Sequence, residues 1–251
     1  YTTFPFYKQR GGLMERISTY IKGFDDIING GFPAGANILV SGGPGTGKTI
    51  FVLEVLYRNA MLGKKVKHFT FEQTEKELLE QLDQFGFNDK KILKKIEIKE
   101  MNTNKPEDLF KDLKLMDKQG YEIVSIDSIS AMMLDPMSEE ELSSSGKNKV
   151  HSDVKALGVE NFNKIKVKKV IDLLKNTKVT AFLVSETDLD SNAFSRDKLS
   201  EYFCDGIVKL SSVEGEDFRS LSIPKMRKTN HKRGVYSFEI TSKGLNIGSG
   251  E

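Results

Sequence analysis

The 251-residue chain has one cysteine, no tryptophan, three histidines and six prolines, and its 38 Lys and Arg nearly cancel its 36 Asp and Glu. Each shortage excludes something. A lone Cys204 can form neither an internal disulfide nor a thiolate metal cluster, and such cysteine poverty points to a reducing, cytoplasmic setting. No second His or Cys stands at metal-ligand spacing from His68, which reads as an ordinary packed or surface histidine on a strand. No apolar run nears the roughly 18 residues that a membrane-spanning helix needs; the best, 179–184, contains a Thr. Membrane insertion is therefore not expected, and the chain reads as soluble. A net charge of +2 argues against bulk electrostatic capture of nucleic acid or anionic lipid. No secretory h-region follows Tyr1, so residues 1–13 read as an N-terminal extension or remnant, with Met14 a candidate natural start. Residues 14–251 are long enough for one domain with a substantial core.

What the chain does have is alternation. Short apolar runs at 37–41, 66–71, 96–98, 121–126 and 179–185 alternate with helical periodicity over 50–62, 75–85, 106–119 and 165–174. That pattern predicts an α/β fold: a mostly parallel central sheet flanked by helices. From Gly206 onward only strand patterns remain, at 207–210, 219–226 and 234–240, which predicts an antiparallel C-terminal extension of the same sheet. Residues 136–158 break the rhythm with Glu139–Glu141, a serine run and scattered lysines, and read as a mobile insertion with a solvated acidic stretch.

Gly42-Gly43-Pro44-Gly45-Thr46-Gly47-Lys48-Thr49 fits G-x-x-x-x-G-K-[ST] and lies between a predicted buried strand and a predicted helix, the context that gives the motif meaning. Its glycines let consecutive N–H groups face phosphate oxygens, and the first turn of the helix adds unpaired donors. Lys48 is expected to reach the β and γ phosphates of ATP, and Thr49 to bind Mg²⁺.

A triphosphatase also needs an acid near the metal. Asp127 ends the apolar run 123–126, at the edge where open α/β sheets bind ligands; a helix-cap role before Ser128 is the alternative. Glu72, just after the strand that follows the phosphate-loop helix, is the candidate general base. Gln73 beside it can orient water but cannot accept its proton. Residues 225–233 hold five basic residues and no acid; strand alternation puts Lys225 and Arg227 on one face, a spacing that can straddle a triphosphate.

Residues 21–35, the phosphate loop, Phe71-Glu72-Gln73-Thr74, Ser125-Ile126-Asp127-Ser128 and 225–231 together resemble the KaiC family of RecA-like ATPases, in order and in spacing. The resemblance covers about 16–247 and implies a RecA-like P-loop NTPase fold and a homo-oligomeric ring, a hexamer, with ATP at each subunit boundary. It implies that one subunit supplies Gly45, Thr46, Gly47, Lys48, Thr49 and Ile50. Its neighbour supplies Lys225, Met226, Arg227, Thr229 and His231, with Thr241 and Ser242 on that neighbour's side too. A cation in trans would then tie turnover to assembly. The family commonly has two adjacent glutamates where this chain has Glu72 and Gln73, so slow hydrolysis is expected. Ser191, Ser195 and Ser200 do not match the clock protein's phosphorylated residues one by one, and autophosphorylation is not expected.

Three readings follow: a Mg-ATP hydrolase acting as ring-shaped regulator or motor with an unidentified protein partner, a nucleotide-gated binding module without significant turnover, and a recombinase-like DNA-binding protein. The third is disfavoured. Its loops would be 134–161, where acids outnumber lysines, and 187–199, where Arg196 and Lys198 face three Asp.

Overall fold

The structure is a computed structural model that describes residues 15–103, 105–133, 159–187, 193–212 and 218–250. The expected insertion at 136–158 lies outside them. In chain order the elements are β1 (Arg16–Ile17), β2 (Phe32–Pro33), β3 (Asn37–Gly42), α1 (Lys48–Met61), β4 (Val66–Thr70), α2 (Glu75–Gln84), α3 (Lys90–Leu93), β5 (Ile96–Glu100), α4 (Pro106–Gln119), β6 (Ile123–Asp127), a 3-10 turn (Ala131–Met133), α5 (Val159–Lys175), β7 (Thr180–Glu186), α6 (Ser200–Phe203), β8 (Gly206–Ser212), β9 (Arg219–Met226), β10 (Val235–Thr241) and β11 (Gly244–Gly250).

Strands β3 to β11 form one sheet in the order β11-β10-β9-β8-β3-β7-β6-β4-β5, and β1 pairs with β2 in a separate ribbon. The six strands from β8 to β5 are mutually parallel, while β9, β10 and β11 join in antiparallel steps. This is the expected mostly parallel sheet with its antiparallel extension. Period-two alternation splits the core: Ile38, Val40, Ile123, Phe182 and Val184 pack on the α1 side, and Leu39, Val124, Ile126 and Leu183 pack with α4 and α5. A parallel strand covered on both faces must be apolar throughout, which is why β3 and β7 lack an exposed polar row.

Two of the helix starts follow from local sequence chemistry. Thr74 caps α2 in a reciprocal box with Glu77, and Pro106 opens α4. The ribbon β1–β2, the four-residue helices and β11 were not expected, because two to four residues show no periodicity and 244–250 is rich in glycine.

His68 lies in the middle of β4, fully buried, with Nδ1 2.6 Å from Ser125 Oγ, and burial lowers its pKa to about 4. The unfolded chain holds this proton up to about pH 6.5 and the folded chain only to about pH 4, so stability is lost as pH falls through that window. Between pH 7.5 and pH 5 the group removes about 2 kcal/mol. Urea unfolding of His68→Leu at the two pH values is expected to show a loss smaller than that of the native chain by this amount; identical losses would contradict it.

Candidate nucleotide site

The parallel strands deliver their last residues to one edge. β3 ends in the phosphate loop, β4 runs out into Glu72, β6 ends at Asp127 and β7 ends at Glu186. Together with Gly45, Gly47, Lys48, Thr49, Ile50, Gln81, Phe85, Arg219 and Ile240 they line a cleft of about 320 Å³. The loop's shape depends on Gly47, the N-cap of α1, whose φ of 96° lies in the left-handed region; a Cβ there would stand 2.8 Å from Ile240 Cδ1. Gly42 and Gly43 complete the turn: Thr46 Oγ1 donates to Gly43 O at 2.9 Å, and a Cβ on Gly42 would stand 2.4 Å from Leu210 O. Pro44 rides on its exposed side.

Lys48 donates from Nζ to Gly43 O at 2.7 Å and lies 3.9 Å from Glu186 Oε1. Burial lowers its pKa, while Glu186, Asp127 and Glu72 pull it back up. Thr49 donates from Oγ1 to Asp127 Oδ2 at 2.6 Å. Asp127 is almost fully buried, and burial lifts its carboxyl to about 6, against the opposing hydrogen bond from Thr49. A hydroxyl paired with a carboxylate is an all-oxygen donor set of the kind Mg²⁺ takes beside phosphate and water. Glu72 is exposed; Ser128 Oγ donates to its Oε1, while the backbone N–H of Ala131 donates to Ser128 Oγ at 3.1 Å. Thus a phosphate cradle, an oxygen pair fit for a metal and an oriented carboxylate share one cleft.

The family described as "ATPase: KaiC" matches residues 17–251. The chain belongs to the KaiC ATPase family. Among curated relatives, the circadian clock oscillator protein KaiC of Synechococcus elongatus is 29% identical over 98% of this chain and 46% of its own length. That of a Nostoc species is 28% identical over 94% of this chain and 45% of its own. The chain thus spans about half the length of these KaiC relatives. A UPF0273 protein of Thermotoga maritima is 27% identical, with 94% of this chain and 96% of the relative covered. Among solved structures, a KaiC-like protein from Pyrococcus horikoshii superposes with a TM-score of 0.76 at 26% identity, covering 94% of this chain and all of the other. The fold is the RecA-like α/β fold, and the family model that the chain matches is that of an ATPase domain.

Within this KaiC-family chain, Lys225 and Arg227 do not join the cleft. Lys225 pairs with Ile207 and Met226 with Gly206 in β8, which pair with Leu39 and Ile38 in β3, so residues 225–231 sit toward the amino edge of the sheet, roughly 10 Å or more along the strands from the phosphate loop at about 3.3 Å per residue. The two cations do converge: Lys225 Nζ and Arg227 Nη2 both donate to Tyr202 O, at 3.2 and 3.3 Å, and Arg227 pairs with Asp205. Thr229 and His231 follow in the same partly buried loop. Met226 turns its side chain into the core against Gly206, so only its backbone is available to a ligand.

Thr241 and Ser242 correct the expectation that they accompany this group. β10 runs back toward the carboxyl edge, so they stand on the opposite edge from Lys225, with Ile240 beside Gly47 and Ser242 O against Gly86. Sequence reasoning also missed Glu186, Arg219, Ser128, Gln81 and Phe85. The rule that found Asp127 applies equally to Glu186, which also ends a core strand. Arg219 carries no such signal, because its place at the start of β9 depends on the register of the extension.

Gly47→Ala is expected to lower stability by about 1–2 kcal/mol, the cost of a side chain at left-handed φ, and to weaken ATP binding. Thermal unfolding and a fluorescent-nucleotide titration check both, and undiminished affinity would contradict the role given to this glycine.

Proposed function

We propose that this chain binds Mg-ATP at the boundary between two copies of itself in a ring and hydrolyses it slowly, acting as a regulator or motor. The observation that carries the reading is the division of one chain's machinery between two sheet edges: cradle, metal pair and base at the carboxyl edge, two convergent cations at the amino edge. In a ring each amino edge would serve the next protomer's cleft. On this reading Gly45 to Ile50, Thr241 and Ser242 act in cis, and Lys225, Met226, Arg227, Thr229 and His231 act in trans.

Lys48 would exchange Gly43 O and Glu186 for phosphate oxygens. Thr49 and Asp127 would hold Mg²⁺, which when bound neutralises charge on the phosphates. Glu72, oriented by Ser128, would take the proton of the attacking water. Arg219 adds a cation to the cleft in cis, and Lys225 and Arg227 would stabilise the charge that develops on the transferring phosphoryl group. Gln73 leaves Glu72 as the one carboxylate at this point of the chain, which supports slow turnover. The same glutamine supports a second reading, a nucleotide-gated binding module with negligible hydrolysis. DNA binding is not favoured, and a steep fall of DNA affinity with salt would revive it.

Lys48→Ala is expected to abolish ATP binding, whereas Glu72→Ala keeps binding and loses turnover by about 10²-fold or more. Equal loss of binding in both would remove the role of Glu72. Arg227→Ala is expected to lower phosphate release by about 10³-fold. No release from the native protein would favour the gated module, and release indifferent to this change would remove the role of Arg227.

A further inference from the structure

We infer that Arg16 is the positioning residue of the trans-acting segment: its guanidinium fixes the turn that carries Thr229 and thereby sets what residues 225–231 present to a neighbouring protomer. This rests on the reading of ATP shared between two copies.

Arg16 opens β1, far in sequence from that turn. Its Nη1 donates to Gly31 O at 2.7 Å, to Ile28 O at 3.2 Å and to Thr229 Oγ1 at 3.2 Å, and its Nη2 donates to Thr229 Oγ1 at 3.2 Å and Lys228 O at 3.4 Å. These acceptors are all neutral, so the guanidinium is held as a planar hydrogen-bonding fork between two loops rather than as one half of an ion pair. One of the two loops is firm. Ile27, Ile28 and Phe32 are buried in the core around it, and Ile27 O also accepts from Lys232 N at 2.8 Å. The other loop is strained: Lys228, between Arg227 and Thr229, has φ of 56°, in the left-handed region that a residue with a Cβ rarely adopts. Arg16 fastens the carbonyl of that strained residue and the hydroxyl of the next one to the firm loop.

Thr229 Oγ1 accepts from both guanidinium nitrogens, so its own hydrogen is left to donate elsewhere. An O–H donor beside two cations matches the oxygen of a phosphate. A lysine at position 16 would keep the charge but lose the fork, and would hold one acceptor where the arginine holds both loops.

The test uses full-length protein and a mixture of variants. Arg16→Ala is expected to lower phosphate release about 10- to 100-fold, the range for misplacing a group that acts at close quarters, with unchanged nucleotide affinity at the phosphate loop. Mixed with Lys48→Ala protomers, which lack a working cradle but keep a sound amino edge, Arg16→Ala should regain release well above either variant alone. Arg227→Ala is mixed with Lys48→Ala in parallel. Recovery with Arg227→Ala but not with Arg16→Ala would overturn the role of Arg16; recovery with neither would overturn the shared-site reading itself. Full activity of Arg16→Ala alone would also overturn the inference. Arg16→Lys is expected to behave as the alanine variant does, and replaces it in the mixture if the alanine variant does not fold.

Discussion

A triphosphate brings several negative charges into a cleft that already holds three carboxylates, Glu72, Asp127 and Glu186, against the two cations Lys48 and Arg219. Coulomb repulsion at these distances, in a site partly shielded from water, is too large to ignore. The chain's own carboxyl edge is therefore electrostatically incomplete for ATP. On the proposed reading a divalent cation on Thr49 and Asp127 supplies part of the missing positive charge, and Lys225 and Arg227 of the next copy supply the rest. The arrangement of the fold makes sense as a solution to that constraint. Parallel strands gather the phosphate cradle, the metal pair and the base at one edge, while an antiparallel step carries a basic turn to the other edge, where it is useless to its own cleft.

The same constraint explains the state of the lysine. Lys48 rests on Gly43 O and beside Glu186, so a buried ammonium keeps partners until phosphate oxygens replace them. Asp127 is likewise held partway toward its neutral form by burial, and Thr49 donates to the oxygen that a metal would take. On the proposed reading both groups exchange these pairs for phosphate oxygens and a metal.

Much of this was legible before any coordinates. The glycine-rich loop announces itself through composition, and Asp127 and Glu72 follow from one rule, that ligands gather at the carboxyl ends of parallel strands. Most helix bounds moved only slightly: α1 starts at Lys48 rather than Ile50 because the loop's own Lys and Thr form its first turn, whereas α5 begins at Val159, six residues before the expected 165. What sequence could not show was register. Arg219 and Ile240 reach the cleft, and Thr241 and Ser242 the same edge of the sheet, only because β9 and β10 reverse direction, and no periodicity reveals which end of an antiparallel strand faces which edge. Arg16 was equally hidden, since two of its partners, Lys228 and Thr229, lie more than two hundred residues away on a turn whose position is a tertiary fact.

The dependence of catalysis on a second copy is most directly tested by measuring particle mass and phosphate release per protomer on the same samples, across protein concentration, with saturating Mg-ATP. Release that rises in step with the assembled fraction is expected, with solitary protomers close to inactive. Full-rate hydrolysis by a solitary protomer would contradict a site completed from the neighbouring subunit.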